Sequence, residues 1–193
     1  MPEDHCARTS PIAHLLVRFT HQMNPPQQLI AIGLGVADSS FTYAIGTLVL
    51  WSANPTLINN SSQILYSGKF DKIAIASPTL APYGLAAMQV IKQLGVTSVV
   101  APKLVEAASI GQAFQFAASG NASLGFVALS QVHSNGVIQN GSAWMVPANL
   151  HAPIRQDAVL LTAGKDNHAA KAFLTYMHSD TAAAVIRYFG YGL

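Results

Sequence analysis

At 193 residues the chain suits one large domain or two small α/β lobes, and it is long enough to bury a core. Hydrophobic residues make up 51% and charged residues only 9%, against about 25% in an average protein, which argues against a solvated bundle, a coiled coil or a disordered tail. The ten Lys and Arg are scattered without a basic run and the formal charge is only +2, which argues against nucleic acid as a partner and against strong electrostatic steering.

Residues 1–26 differ from the rest. They hold His5, His14 and His21, the single cysteine Cys6, and end in Asn24-Pro25-Pro26, with no clean helical or alternating period. No signal peptide is read there, because residues 1–10 are polar and the apolar stretch 11–19 is short and interrupted by His14 and Arg18. One cysteine rules out an internal disulfide and a Cys-rich metal site. From Gln27 the pattern becomes regular. Residues 27–32 end a helix at Gly33 and Gly35, 41–51 form a β-type run, and 52–55 signal a turn; 58–66 fit either helix or strand. The longest apolar run, 44–51, is far short of the ~20 residues of a spanning helix.

Residues 72–76 read as a short buried strand, and 82–94 as a helix with Leu85, Met88 and Ile91 on one face, Pro82 in its first turn and Gly95 as its stop. A second strand is expected at 98–101. A helix over 109–119 opens with the capping box Ser109-x-x-Gln112 and stops at Gly120. Strand 124–128 runs into a short helical segment ending near His133, and 142–146 and 158–162 are strands. Helices over 167–178 and 180–189 complete the chain, with Asp166 and Asp180 at their starts. Strands alternating with helices indicate an α/β fold with a mainly parallel sheet.

The chemistry-bearing positions are the strand-to-helix turns at 77–84 and at Ser109–Gln112. Each exposes backbone N–H groups at a helix start, and neither carries a charged side chain in its first turn. Two such starts side by side can hold a small dianion through neutral donors. Taken singly, each also fits an ordinary βα loop. His133, His151, His168 and His178 lack metal-ligand spacing, and Ser130 lacks the glycines of a nucleophile elbow. Lys72, Lys103 and Lys171 read as solvated surface residues, and Gly33-Leu34-Gly35 is not a dinucleotide fingerprint. The residues therefore describe a binder rather than an enzyme, with no catalytic residue, metal or cofactor.

Several blocks carry a family resemblance: Phe41-Thr42-Tyr43-Ala44-Ile45-Gly46 with Leu48-Val49-Leu50-Trp51-Ser52, then Ile73-Ala74-Ile75-Ala76-Ser77-Pro78 and Ala81-Pro82-Tyr83-Gly84. The run from Gly120 to Gln131, then Pro153-Ile154-Arg155-Gln156-Asp157, and the ending Arg187-Tyr188-Phe189-Gly190-Tyr191 continue it. From Gln27 to the C-terminus, this ordered set resembles the molybdate-binding proteins of ABC transporters. The resemblance implies a type II periplasmic-binding-protein fold, two α/β lobes closing on a tetrahedral oxyanion. The second lobe is expected to be largely complete and the first partial. Lobe II would cover 51–157, with 27–50 and 158–193 as the remainder of lobe I and 1–26 unmatched.

It further implies that molybdate or tungstate is the ligand, with no cofactor, and that the backbone amides of Tyr83 and Ile110 bind it, helped by the Tyr83 hydroxyl. A tyrosine contact present in some members falls at Ala128 and is absent. A membrane permease is the implied partner, the implied state is a monomer, and the implied compartment is the periplasm. The hydroxyl-bearing turns with which the family's first lobe begins have no counterpart in 1–26, so an N-terminal truncation is expected. Two lost hydrogen bonds to a charged ligand, at ~1.5–3 kcal/mol each, would lower affinity by about two to four decades. The alternatives are a non-functional remnant and an oxyanion-sensing domain of the same fold.

Overall fold

The computed structural model describes residues 17–21, 26–134 and 137–193. His5, Cys6, His14 and the pair Asn24-Pro25 therefore lie outside the described residues. The strands in chain order are β1 (Val17–His21), β2 (Phe41–Gly46), β3 (Leu48–Ser52), β4 (Ile73–Ala76), β5 (Leu104–Ala107), β6 (Leu124–Ala128), β7 (His133–Ser134), β8 (Val137–Ile138), β9 (Ser142–Met145) and β10 (Ile154–Leu160). The chain divides into two compact units, Met1–Tyr43 with Gln156–Ala184, and Ala44–Arg155 with Val185–Leu193. The division points at 43/44 and 155/156 fall within β2 and β10.

In the first unit β10 lies between β1 and β2, and β1 runs antiparallel to it, from Val17 opposite Leu160 to His21 opposite Gln156. Val17, Leu160 and Ala170 form a small core against which Val36 and Leu174 pack. The strand β1 lies in the segment 1–26, where no clean period is read. Val17-Arg18-Phe19-Thr20 does alternate apolar and polar, but over so short a run the signal is weak, and the pairing with β10 completes the strand. The helix Pro26–Ala31 ends as expected, with Gly33 at φ 76°. At the next two helix starts the capping residues are the neighbours of the two expected aspartates. The Asn167 side chain accepts from the Ala170 amide (3.0 Å), and the Ser179 hydroxyl from that of Ala182 (3.2 Å). Asp180 sits one residue inside, in the first turn of Asp180–Tyr188, where its charge favours the helix dipole.

The second unit is built on a five-stranded sheet in the order β5-β4-β6-β3-β9. Strands β5, β4 and β6 are parallel, whereas β3 runs antiparallel to both β6 and β9. The sheet is thus mixed rather than mainly parallel, because strand–helix alternation holds only from β4 to β6. Its central strands β3, β4 and β6 are buried throughout. Period-two alternation sends Leu48, Leu50, Ile73, Ile75, Leu124 and Phe126 to one face, against Ala86, Ala87, Val90 and Ile91 of the helix Pro82–Gln93. Val49, Trp51 and Val127 face the other way, toward Ala117 of the helix Ile110–Ala118, with Ala74 beside Ala113. Burial on both faces accounts for the continuous apolar runs.

Two sequence expectations fail here. Residues 98–101 lie in the short helix Thr97–Val100 and the following turn Ala101–Lys103, and the strand is Leu104–Ala107. The β-branched pair Val99-Val100 favours a strand locally, but Val96 and Val100, one helical turn apart, both enter the core. On the helix Pro82–Gln93 the buried face is Tyr83, Ala86, Ala87, Val90 and Ile91, while Leu85 is exposed. Small alanines let this helix lie close to the sheet.

Lys103 is not a solvated surface residue either. Its ammonium donates to the carbonyls of Gly68 and Phe70, 2.6 Å each, and lies 4.8 Å from the centre of the Phe70 ring. The substitution Lys103→Met keeps the apolar stem and removes both bonds. It is expected to cost about 2 kcal/mol, a fall of ~4–8 °C in melting temperature for a chain of this size, read by thermal denaturation.

Candidate functional site

The parallel strands β4 and β5 are neighbours, with Ala76 in register with Ala107. The Ser77 amide donates to the Ala107 carbonyl at 2.7 Å, so the pairing continues one step beyond the strand ends. The loops entering the two helices therefore leave the sheet side by side. The first crosses Ser77, which is buried and shares a 3.0 Å hydrogen bond between its hydroxyl and that of Thr79, and reaches the helix Pro82–Gln93 at Ala81. The second reaches the helix Ile110–Ala118 at Ser109.

The two starts are built differently. Pro82 opens the first helix, where its fixed φ fits and its missing N–H costs nothing. Tyr83 follows in the first turn and is buried, its ring reaching to Gly46 at the end of β2. A Cβ at Gly46 would fall on the Tyr83 hydroxyl, so this glycine makes room for the phenol. Sequence reasoning passed over Gly46, although a glycine inside a β-type run is a signal of close approach. Gly84 makes a second close approach, where an added Cβ would fall on the Ala76 carbonyl.

At the second start the Ser109 half of the expected capping box forms, while the Gln112 side chain reaches one residue further back, to Ala108 rather than to the cap itself. The Gln112 amide donates to the Ser109 hydroxyl (3.2 Å), and the Gln112 side chain accepts from the Ala108 amide (2.8 Å). The amides of Ile110 and Gly111 then have no acceptor among the described residues, as the first amides of a helix do. Ile110 is partly buried, packing against the same core as Tyr83. Neither helix has an acidic residue in its first turn, and the sequence places no Lys or Arg there. The electrostatics of the two starts are those of their peptide dipoles, about half a positive charge each.

Strand β6 ends beside them. Gln131 sits in the short helix Leu129–Val132 that follows it. Its side-chain oxygen accepts from the Ala128 amide (3.0 Å), and its side-chain nitrogen donates to the Ile110 carbonyl (3.3 Å). Sequence reasoning missed this residue; a Gln three positions into a helix was the available signal. Ala128 is buried with its amide engaged. Ser130 donates to the Tyr191 hydroxyl (3.2 Å). Among the described residues no cluster of His, Cys, Asp or Glu has metal-binding geometry.

Comparison with known proteins identifies the family and the fold. The family model for bacterial extracellular solute-binding proteins matches residues 17–192, so the match begins ahead of Gln27 and takes in β1. A molybdate-binding protein ModA from Azotobacter vinelandii is 53% identical over 168 residues, covering 87% of this chain and 67% of that protein. A second ModA, from Rhodobacter capsulatus, is 47% identical over 166 residues, covering 86% of this chain and 64% of that one. The chain thus spans about two thirds of the length of these relatives. The solved periplasmic molybdate-binding protein of Azotobacter vinelandii superposes with a TM-score of 0.85 at 41% identity, over 92% of this chain and 78% of that one. The periplasmic-binding-protein fold expected from the sequence is therefore the fold observed, and the chain belongs to the bacterial extracellular solute-binding protein family.

Proposed function

We propose that this chain binds molybdate or tungstate and delivers it to the membrane permease of an ABC importer. The observation that carries the reading is the pair of uncharged helix starts at the adjacent ends of β4 and β5. Neutral, preorganised N–H donors suit an oxyanion that must be held and then released, since no buried counter-charge has to be stripped from it on release. The resemblance to molybdate-binding proteins supports the choice of anion. Tyr83 and Ile110 are the proposed contacts, the first through its amide and hydroxyl and the second through its amide. The role is binding without catalysis or cofactor, by a monomer in the periplasm, the compartment named for the Azotobacter structure. The two compact units correspond in this reading to the two lobes of such a protein.

Calorimetric titration with sodium molybdate is expected to give saturable one-to-one binding. The substitution Tyr83→Phe is expected to weaken it about tenfold, the value of one hydrogen bond to a charged group. Titration heats no larger than dilution, up to millimolar molybdate, would refute the reading.

A further inference from the structure

Gln131 touches both the end of β6 and the start of the helix Ile110–Ala118, and the geometry gives it a defined task. The carbonyl of Ile110 and the N–H of Gly111 belong to one rigid peptide plane. Gln131 donates to that carbonyl at 3.3 Å, while its own oxygen is held by the Ala128 amide at 3.0 Å. Side-chain packing does little to hold the plane at Gly111, since even an added Cβ there would meet only the Ser109 hydroxyl, at 3.8 Å. A carbonyl that accepts a hydrogen bond also polarises its plane and strengthens the N–H at the other end.

We propose that Gln131 is the positioning residue for the second helix start, aiming the 110–111 peptide so that its N–H serves the oxyanion. This rests on the oxyanion reading above. The side chain must supply a donor and an acceptor together, which an amide does and a carboxylate does not.

The test is Gln131→Glu, assayed with molybdate by calorimetry and expressed as a ratio to the wild-type affinity measured at the same pH. At pH 7.5 the carboxylate still accepts from Ala128 but cannot donate to Ile110, and binding is expected to be about tenfold weaker or more. Toward pH ~4, near the ordinary glutamic acid pKa of about 4.3, protonation restores the donor in about half of the molecules or more, and the ratio is expected to rise toward one. Changes in molybdate itself are common to both proteins and cancel in the ratio, and His133, the titratable side chain two residues along, is present in both. Gln131→Leu, which has neither group, is expected to be weak at both pH values.

Recovery with falling pH is something that a merely loosened fold would not show. A ratio for Gln131→Glu that stays low at both pH values, or one that stays at unity, would overturn the proposal while leaving the oxyanion reading in place. Absence of binding by the wild-type chain would instead overturn that reading, and the role of Gln131 with it.

Discussion

Gly84→Ala and Gly111→Ala, the same substitution in the first turns of the two helices, are expected to move stability in opposite directions. At Gly84 the new methyl would fall on the Ala76 carbonyl oxygen, with the Ala76 carbonyl carbon at 2.7 Å and the Ser77 carbonyl carbon at 2.8 Å. All three are backbone atoms at the end of a buried strand, so no flexible side chain can yield. Either the helix start lifts off β4 or the strand end moves. Overpacking of this kind costs about 3 kcal/mol or more, which for a chain of this length lowers the melting temperature by about 6–12 °C. At Gly111 the methyl would meet only the Ser109 hydroxyl at 3.8 Å, an ordinary contact. The higher helix propensity of alanine should then add about 0.5–1 kcal/mol. Thermal and chemical denaturation of the pair would check both. A Gly84→Ala protein as stable as wild type would mean that the helix does not press on the sheet as closely as described.

What could be read from the sequence follows from how far each signal reaches along the chain. The buried strand at β4, the Ser109 cap, and the stops at Gly95 and Gly120 each depend on neighbours within a few residues, and all stand as read. The two helix starts were legible for the same reason. What failed depends on distant partners. Strand β1 is completed by its register with β10, well over a hundred residues away, and Val96 and Val100 turn inward because a core is there to receive them. Lys103 looks like a solvated lysine until the carbonyls of Gly68 and Phe70 are placed beside it. Gly46 and Gln131 belong to the same class. Each acts on a residue of another element, Tyr83 in one case and Ile110 in the other, and nothing in the adjoining sequence names that residue.

The substitution Ile110→Pro isolates the proposed amide contact from the fold that presents it. A proline within a helix is normally ruinous, but Ile110 is the first helical residue, where proline is favoured and its missing N–H breaks no helical bond. The residue before a proline must be extended, and Ser109 already is, at φ −146° and ψ 164°. The helix should therefore persist, at the cost of roughly 1 kcal/mol from trimming a side chain that packs against the core. What disappears is one N–H aimed at the anion. A hydrogen bond to a charged group is worth ~1.5–3 kcal/mol, so molybdate affinity is expected to fall by about one to two decades. Ile110→Val keeps the amide and most of the packing, and should bind like wild type. Circular dichroism would establish that the helix content is kept, and calorimetry would read the loss. If Ile110→Pro bound molybdate within twofold of wild type, the second helix start would have no amide on the ligand, and the oxyanion would have to be held elsewhere.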